Sequence, residues 1–204
     1  MIFPPEVRTL PKIPAVPGAP RPAVFFDRDD TLIQNSTLPE SAFASVRGDL
    51  VDLDCIRLLP GAADACRRVL NLGYVVLIVT NQGVVARGGA ALDEVEAACD
   101  RTMELLGGQI AATLACPFHP RANGPAEFCR EHAWRKPGPG MLLAAAKLFG
   151  LDLARSWMIG DAVRDVQSGI AAGLPQSHCL RVGESMTLPD AMQRVALASV
   201  AGHG

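Results

Sequence analysis

Strand-length apolar runs alternate along this chain with stretches of helical periodicity, and the runs end in residues that can do chemistry. No other feature constrains the fold as much. Ala23 to Asp27 reads as a buried strand. Tyr74 to Val79 is apolar on both faces, as a central parallel strand must be. Shorter strands are expected near Ile110 to Ala115, Trp157 to Ile159 and His178 to Val182. Helical spacing appears in Ala62, Ala65, Cys66, Val69 and Leu70, and again over 92–106, 141–149 and 189–200. Val163, Val166 and Ile170 mark a further helix. Gly73, Gly150 and Gly173 are placed as stops. With no hairpin signature in the core, the strands must be parallel with right-handed crossovers. The expected fold is α/β, a doubly wound, Rossmann-like open parallel sheet with little or no cap.

Composition closes off several alternatives. At 204 residues the chain suits one domain, and a net charge of -2 argues against binding nucleic acid by massed phosphate neutralisation. No apolar run approaches the ~20 residues of a membrane span. Seven of the sixteen prolines lie in residues 1–22, which predicts an extended, solvated arm ahead of a domain over 23–204. That segment lacks the pattern of an export signal, so the expected address is the cytoplasm, with the six cysteines reduced or bound to metal.

In open α/β sheets, ligands sit beyond the carboxyl ends of the strands. Asp27, Asp29, Thr80, Lys136 and Asp161 all fall at such ends or in the adjoining loops. Alternation sends Asp27 and Asp29 to one side and Arg28 to the other. Asp165 lies one helical turn beyond Asp161. Converging carboxylates repel by about 4 kcal/mol per pair at 4 Å and an effective dielectric of 20, so such a cluster calls for a cation. Oxygen ligands without a nearby histidine favour Mg²⁺. Lys136 and the Thr80 hydroxyl then suit a phosphoryl group, and the parts together suit phosphoryl transfer to one carboxylate with the other as acid and base. Singly, each residue has a plainer reading: a turn, a helix cap, a strand-end hydroxyl or a surface lysine.

The four ordered segments Phe25–Thr31, Val79–Gln82, Arg135–Pro137 and Ile159–Asp165 resemble the motifs of the haloacid dehalogenase-like hydrolases. With Ala86-Arg87-Gly88, Cys116-Pro117 and Gly140-Met141 added, the pattern is similar to the D-glycero-D-manno-heptose 1,7-bisphosphate 7-phosphatases and to the related histidinol-phosphate phosphatases. The resemblance implies a phosphatase acting on a phosphorylated metabolite, with Asp27 as nucleophile and Asp29 as acid/base. It implies Mg²⁺ on Asp27, the Asp29 carbonyl and Asp161, with Asp165 behind them. It further implies substrate or phosphate contacts from Thr80, Asn81, Gln82, Arg87, Arg135 and Lys136. Arg87 can equally be read as a charge at a helix approach. The chain departs from the pattern in three places: Asp30 stands where the family usually has glycine, Ala162 where the bisphosphatases often have lysine, and the 34–59 segment is long.

Such relatives often hold a structural zinc in the loop before Arg-Lys-Pro. In register, Phe118 and Trp134 replace two of the ligands, yet Cys116, His119, Cys129 and His132 offer a Cys₂His₂ set at shifted positions. The expectation is a structural Zn²⁺ there, against a loop that has lost its metal and packs Phe118 and Trp134 instead. The Gly83–Gly89 stretch lacks the lysine and hydroxyl of a phosphate-binding P-loop. His178 and His203 have no partners in view. A small-molecule substrate and a monomer are expected. From another class, a catalytically silent zinc-loop scaffold binding a protein partner remains an alternative, and Asp29 argues against a dehalogenase.

Overall fold

The computed structural model describes residues 1–14 and 18–201, the side chain of Ala201 excepted, so His203 lies outside the described residues. Five parallel strands form one sheet: β1 (Ala23–Phe26), β2 (Val75–Asn81), β3 (Ala112–Cys116), β4 (Trp157–Gly160) and β5 (Cys179–Arg181), in the order β3-β2-β1-β4-β5. The chain winds outward from β1 to β3 and then crosses back to β4, so the switch point lies between β1 and β4. Parallel pairing joins Phe26 to both Ile78 and Ile159, which brings three strand ends level at one rim.

Alternate residues of β1 feed two separate cores. Val24 and Phe26 face the layer of α1 (Ala62–Asn71) and α5 (Leu188–Ala201), packed with Val69, Ala191 and Val195. Ala23 and Phe25 face the opposite layer, where α3 (Gly140–Phe149) contributes Met141, Leu142 and Ala145. These strands are apolar throughout because both faces are covered.

Helix α2 (Leu92–Leu105) lies over the rim and carries two smaller cores. Val95 and Cys99 pack with Phe3, Val84 and Val85, while Ala98 packs with Ile33, Leu50 and Ile56. The second of these clusters fastens the 34–59 segment, which forms two single 3₁₀ turns rather than a cap. Among the described residues, no helix is long and apolar enough to cross a membrane.

Three expectations are corrected. The proline-rich arm is not solvated at its start. Ile2 and Phe3 are buried, and Ile2 joins the edge of β3 by donating to the Thr113 carbonyl (2.8 Å) and accepting from the Ala115 amide (3.0 Å). An edge strand otherwise leaves such groups unpaired. In α4 (Val163–Ala171), Val163 and Ile170 point outward, and the fully buried residues are Asp165, Ser168 and Gly169. Polar and small residues take that face because Asp165 serves the site described below. His178 is also not solitary: its ring stacks on Trp157 at 4.0 Å between centroids.

Replacing Phe3 by alanine should remove about 3–5 kcal/mol of stability. At 2–4 °C per kcal/mol, thermal unfolding should drop by roughly 6–20 °C. An unchanged transition would mean that the arm does not dock.

Candidate active site

Lys136 is fully buried, and its ammonium lies 2.7 Å from both Asp27 Oδ1 and Asp165 Oδ1. It also donates to the Val79 carbonyl at 2.8 Å, so one cation ties the ends of β1 and β2 to the first turn of α4. Three features bring these groups together. The Asp27 amide continues the sheet by donating to the Ile159 carbonyl (2.9 Å). Asp165 Oδ2 accepts from the Ala162 amide at 3.0 Å, capping the helix start. Gly160 permits the approach, because a Cβ there would lie 2.5 Å from the Asp165 carboxyl.

Burial, opposed by Lys136 and reinforced by the Asp165 and Asp29 charges, pushes the Asp27 carboxyl up to about 7. Burial alone would lower Lys136, but Asp27 and Asp165 hold it above its ordinary value. The site therefore has an unmet demand for positive charge. Asp161 displays the same demand: burial, with Asp165 beside it, raises its carboxyl, and its Oδ1 is buried with no hydrogen-bond partner among the described residues. Oxygens of Asp27, Asp161 and Asp165 all lie within 4.8 Å of one another. An orphaned carboxylate oxygen in an all-oxygen cluster fits a hard divalent cation such as Mg²⁺. Asp165 has both oxygens engaged, by Lys136 and the helix cap, whereas Asp27 meets Lys136 and the Arg28 amide through Oδ1 alone, so Asp27 Oδ2 and Asp161 are the side-chain oxygens to ligate it.

Asp29 sits beside this cluster, held by both carboxylate oxygens. Oδ1 accepts from Arg28 Nε (3.2 Å), Arg28 Nη2 (2.9 Å) and Asn35 Nδ2 (2.8 Å). Oδ2 faces Gln82 Nε2 at 3.2 Å and the Thr80 hydroxyl at 3.5 Å. Arg28 does not point away from Asp29, as strict alternation would have it. The chain turns after β1, and Asp30 adopts a left-handed conformation, φ 54°, so the guanidinium folds back beneath Asp29. Aspartate tolerates that conformation where a branched residue would not. Asp30 Oδ1 further secures the turn by accepting from the Asn35 (3.0 Å) and Ser36 (2.8 Å) amides. This accounts for a non-glycine residue at the position.

The remaining expected contacts divide. Asn81 binds the Lys136 backbone reciprocally, accepting from its amide (2.9 Å) and donating to its carbonyl (3.0 Å). Its amide thus positions the lysine. Gln82 steadies Thr80 as well as Asp29, with Nε2 donating to the Thr80 hydroxyl at 2.8 Å. Arg135 donates to the Phe118 carbonyl (3.0 Å) and borders a cavity of about 310 Å³ shared with Lys136 and His119. Arg87 is engaged in a two-pronged ion pair with the buried Asp49, so in this structure it braces the 34–59 segment.

The four zinc candidates are not brought together as a ligand set: among the described residues the Asp27, Asp161 and Asp165 group is the metal-capable cluster found. The physical reason is local. His132 uses both ring nitrogens, one 2.6 Å from Glu6 and the other accepting from the Trp134 amide (3.1 Å). Cys116 is buried, His119 Nδ1 accepts from the Arg121 amide, and the Cys129 thiol lies on the Ala86 carbonyl. Phe118 stacks on His132 at 4.3 Å, meets Phe128 at 5.7 Å, and lies under the Arg130 guanidinium at 4.4 Å. Asn35 and Asp49 carry no signal in the sequence beyond the oddly long 34–59 segment, and Arg28 is the residue that alternation sends away from Asp29.

Residues 133–196 match the profile of a family described as HAD-hydrolase-like. The D-glycero-beta-D-manno-heptose-1,7-bisphosphate 7-phosphatase of Rhodopseudomonas palustris is 38% identical over 76% of this chain and 81% of that protein. A structure described as a HAD-like phosphatase from Mesorhizobium loti superposes with a TM-score of 0.72 at 30% identity, covering 88% of each chain. The D,D-heptose 1,7-bisphosphate phosphatase of B. bronchiseptica, solved with magnesium and phosphate, gives 0.63 at 26% identity over 87% of this chain and 99% of that one.

Replacing Lys136 by methionine strands two buried carboxylates and should cost about 3–5 kcal/mol, the usual loss for one partner of a buried pair. Urea unfolding checks this, and an unshifted midpoint would mean the ammonium is not held between them.

Proposed function

Since the chain belongs to the haloacid dehalogenase-like hydrolases and is a phosphatase, we propose that it hydrolyses a phosphate monoester of a sugar such as D-glycero-D-manno-heptose 1,7-bisphosphate. The observation that carries this reading is the buried lysine 2.7 Å from Asp27, beside an acid whose Oδ1 has no partner among the described residues. Such a pocket is built to receive charge from outside. A phosphate and a cation bring both signs.

The roles follow from position. Asp27 attacks phosphorus in line as the ester P–O bond breaks, and Asp29 delivers its proton to the departing oxygen. The product on Asp27 is an acyl phosphate. Water attacks its phosphorus, Asp29 takes the water's proton, and free Asp27 and inorganic phosphate result. The Thr80 hydroxyl donates to a phosphoryl oxygen, and Lys136 offsets the phosphoryl charge. Asp27, Asp161 and the Asp29 carbonyl would hold Mg²⁺, with Asp165 behind them. Its chemistry is neutralisation of the phosphoryl oxygens and of the attacking carboxylate.

The leaving group has a seat beside Asp161. A cavity of about 560 Å³ adjoins Asp161, lined by Ser36, Thr37, Arg181 and Ser185 among others. Hydroxyls and charges of this kind suit a polyol better than an apolar alcohol. The 34–59 segment forms part of its wall, which ties specificity to the long insertion. A cytoplasmic address is in keeping with its six free cysteines.

Asp27→Asn should lower turnover by at least about 10³-fold, since the carboxamide cannot form the acyl-phosphate intermediate. Wild-type turnover should stop on chelation. Magnesium at about 100 times its dissociation constant should add roughly 2.7 kcal/mol of thermal stability, and Asp161→Asn should lose that gain. Full activity of Asp27→Asn would remove the mechanism. Side-by-side kcat/KM values on heptose bisphosphate and histidinol phosphate decide the substrate: a clear preference for the latter would replace the sugar.

A further inference from the structure

We propose that Arg28, with Asn35, is the positioning device of the acid/base: it anchors Asp29 by Oδ1 and leaves Oδ2 as the oxygen that carries the proton. This rests on the reading of Asp29 as acid and base, and goes beyond it by assigning the two oxygens and the residues that separate them.

Arg28 is fully buried, and its side-chain ion pair is with Asp29. A guanidinium without solvent is costly unless its hydrogens are met. Here Nε and Nη2 both reach Asp29 Oδ1, Nη2 also reaches the Leu50 carbonyl (3.2 Å), and Nη1 lies 3.5 Å from the Cys99 thiol. Asn35 adds a third donor to the same oxygen and is itself held by the Gly48 carbonyl at 3.3 Å. Oδ1 therefore has three donors at 3.2 Å or less from two buried side chains. Among the described residues, Oδ2 has only Gln82 at 3.2 Å and a long 3.5 Å contact from Thr80. A proton cannot share the crowded oxygen with three donors. It belongs on Oδ2, the oxygen beside Thr80 and hence nearest the phosphoryl contacts.

The arrangement also explains why the guanidinium is buried where it is. Arg28 and Asn35 connect Asp29 to Leu50 and Gly48, both in the 34–59 segment, and Arg28 continues to α2 through Cys99. The working carboxylate is thus fixed from outside the sheet. A shift of that segment would swing Oδ2 relative to the leaving oxygen, and misplacement by about 1 Å can cost 10²-fold in rate.

A leaving-group comparison tests this. Values of kcat/KM report the step in which the ester oxygen leaves, and a stable aryloxide such as 4-nitrophenolate needs no proton. Arg28→Lys keeps the charge but loses the fork; it should lower kcat/KM for an alkyl phosphate by about 10–100-fold, short of the roughly 10²–10⁴-fold that full loss of a general acid costs, and by under about 3-fold for 4-nitrophenyl phosphate. Asn35→Ala should show the same asymmetry, smaller in size, and serves if Arg28→Lys does not fold. Asp29→Asn is the reference and should be strongly asymmetric. Equal losses on both esters in the Arg28 and Asn35 variants, with Asp29→Asn asymmetric, would overturn the positioning role alone. A symmetric Asp29→Asn would sink the acid/base assignment, and this proposal with it.

Discussion

The site depends on one buried ammonium. Lys136 reaches Asp27 and Asp165 at the same 2.7 Å and closes a path from β2 through β1 to α4. Two carboxylates in that volume would repel without it, and an ammonium there would be expelled without them. The surrounding structure serves this contact. Asn81 fixes the lysine's backbone, Gly160 leaves space for Asp165, and the inward face of α4 yields hydrophobic burial to Asp165, Ser168 and Gly169. The cluster nevertheless remains short of positive charge, which is the physical basis for expecting a divalent cation as a second counter-charge.

A second network, around Asp29, has a different purpose. Its donors arrive from the β1 loop, the β2 end and the 34–59 segment, so the acid is gripped from three directions. Asp49 on that segment is clasped by Arg87, and Leu50 packs against α2 through Ala98. The segment that walls the cavity beside Asp161 is thus the same one that holds Asp29, so under the proposed roles recognition and proton transfer share a support.

Much of this was legible in the sequence because it depends on local order. Apolar runs and their ends placed the strands, and parallel topology then required those ends to share a rim. Asp27, Lys136, Asp161 and Asp165 followed from that rule. The parts that escaped depend on pairings distant in sequence or on how a turn folds back. Asp49 and Arg87 are 38 positions apart and carry no periodic signal. Arg28 was assigned to the wrong side because alternation was extended past Phe26 into a turn with a left-handed Asp30. The zinc expectation counted residue types in a loop, whereas Phe118 and Glu6 engage His132 first. The arm's docking turned on two residues, Ile2 and Phe3, hidden in a proline-rich composition.

Covalent transfer to Asp27 is the central claim, and rapid acid quench of the holoenzyme with phosphorus-labelled substrate tests it most directly. Label should appear on the protein within a turnover, map to the peptide containing Asp27, and vanish on treatment with hydroxylamine, which cleaves acyl phosphates. Steady release of labelled phosphate with no protein-bound label at any quench time, or label on another residue, would contradict it.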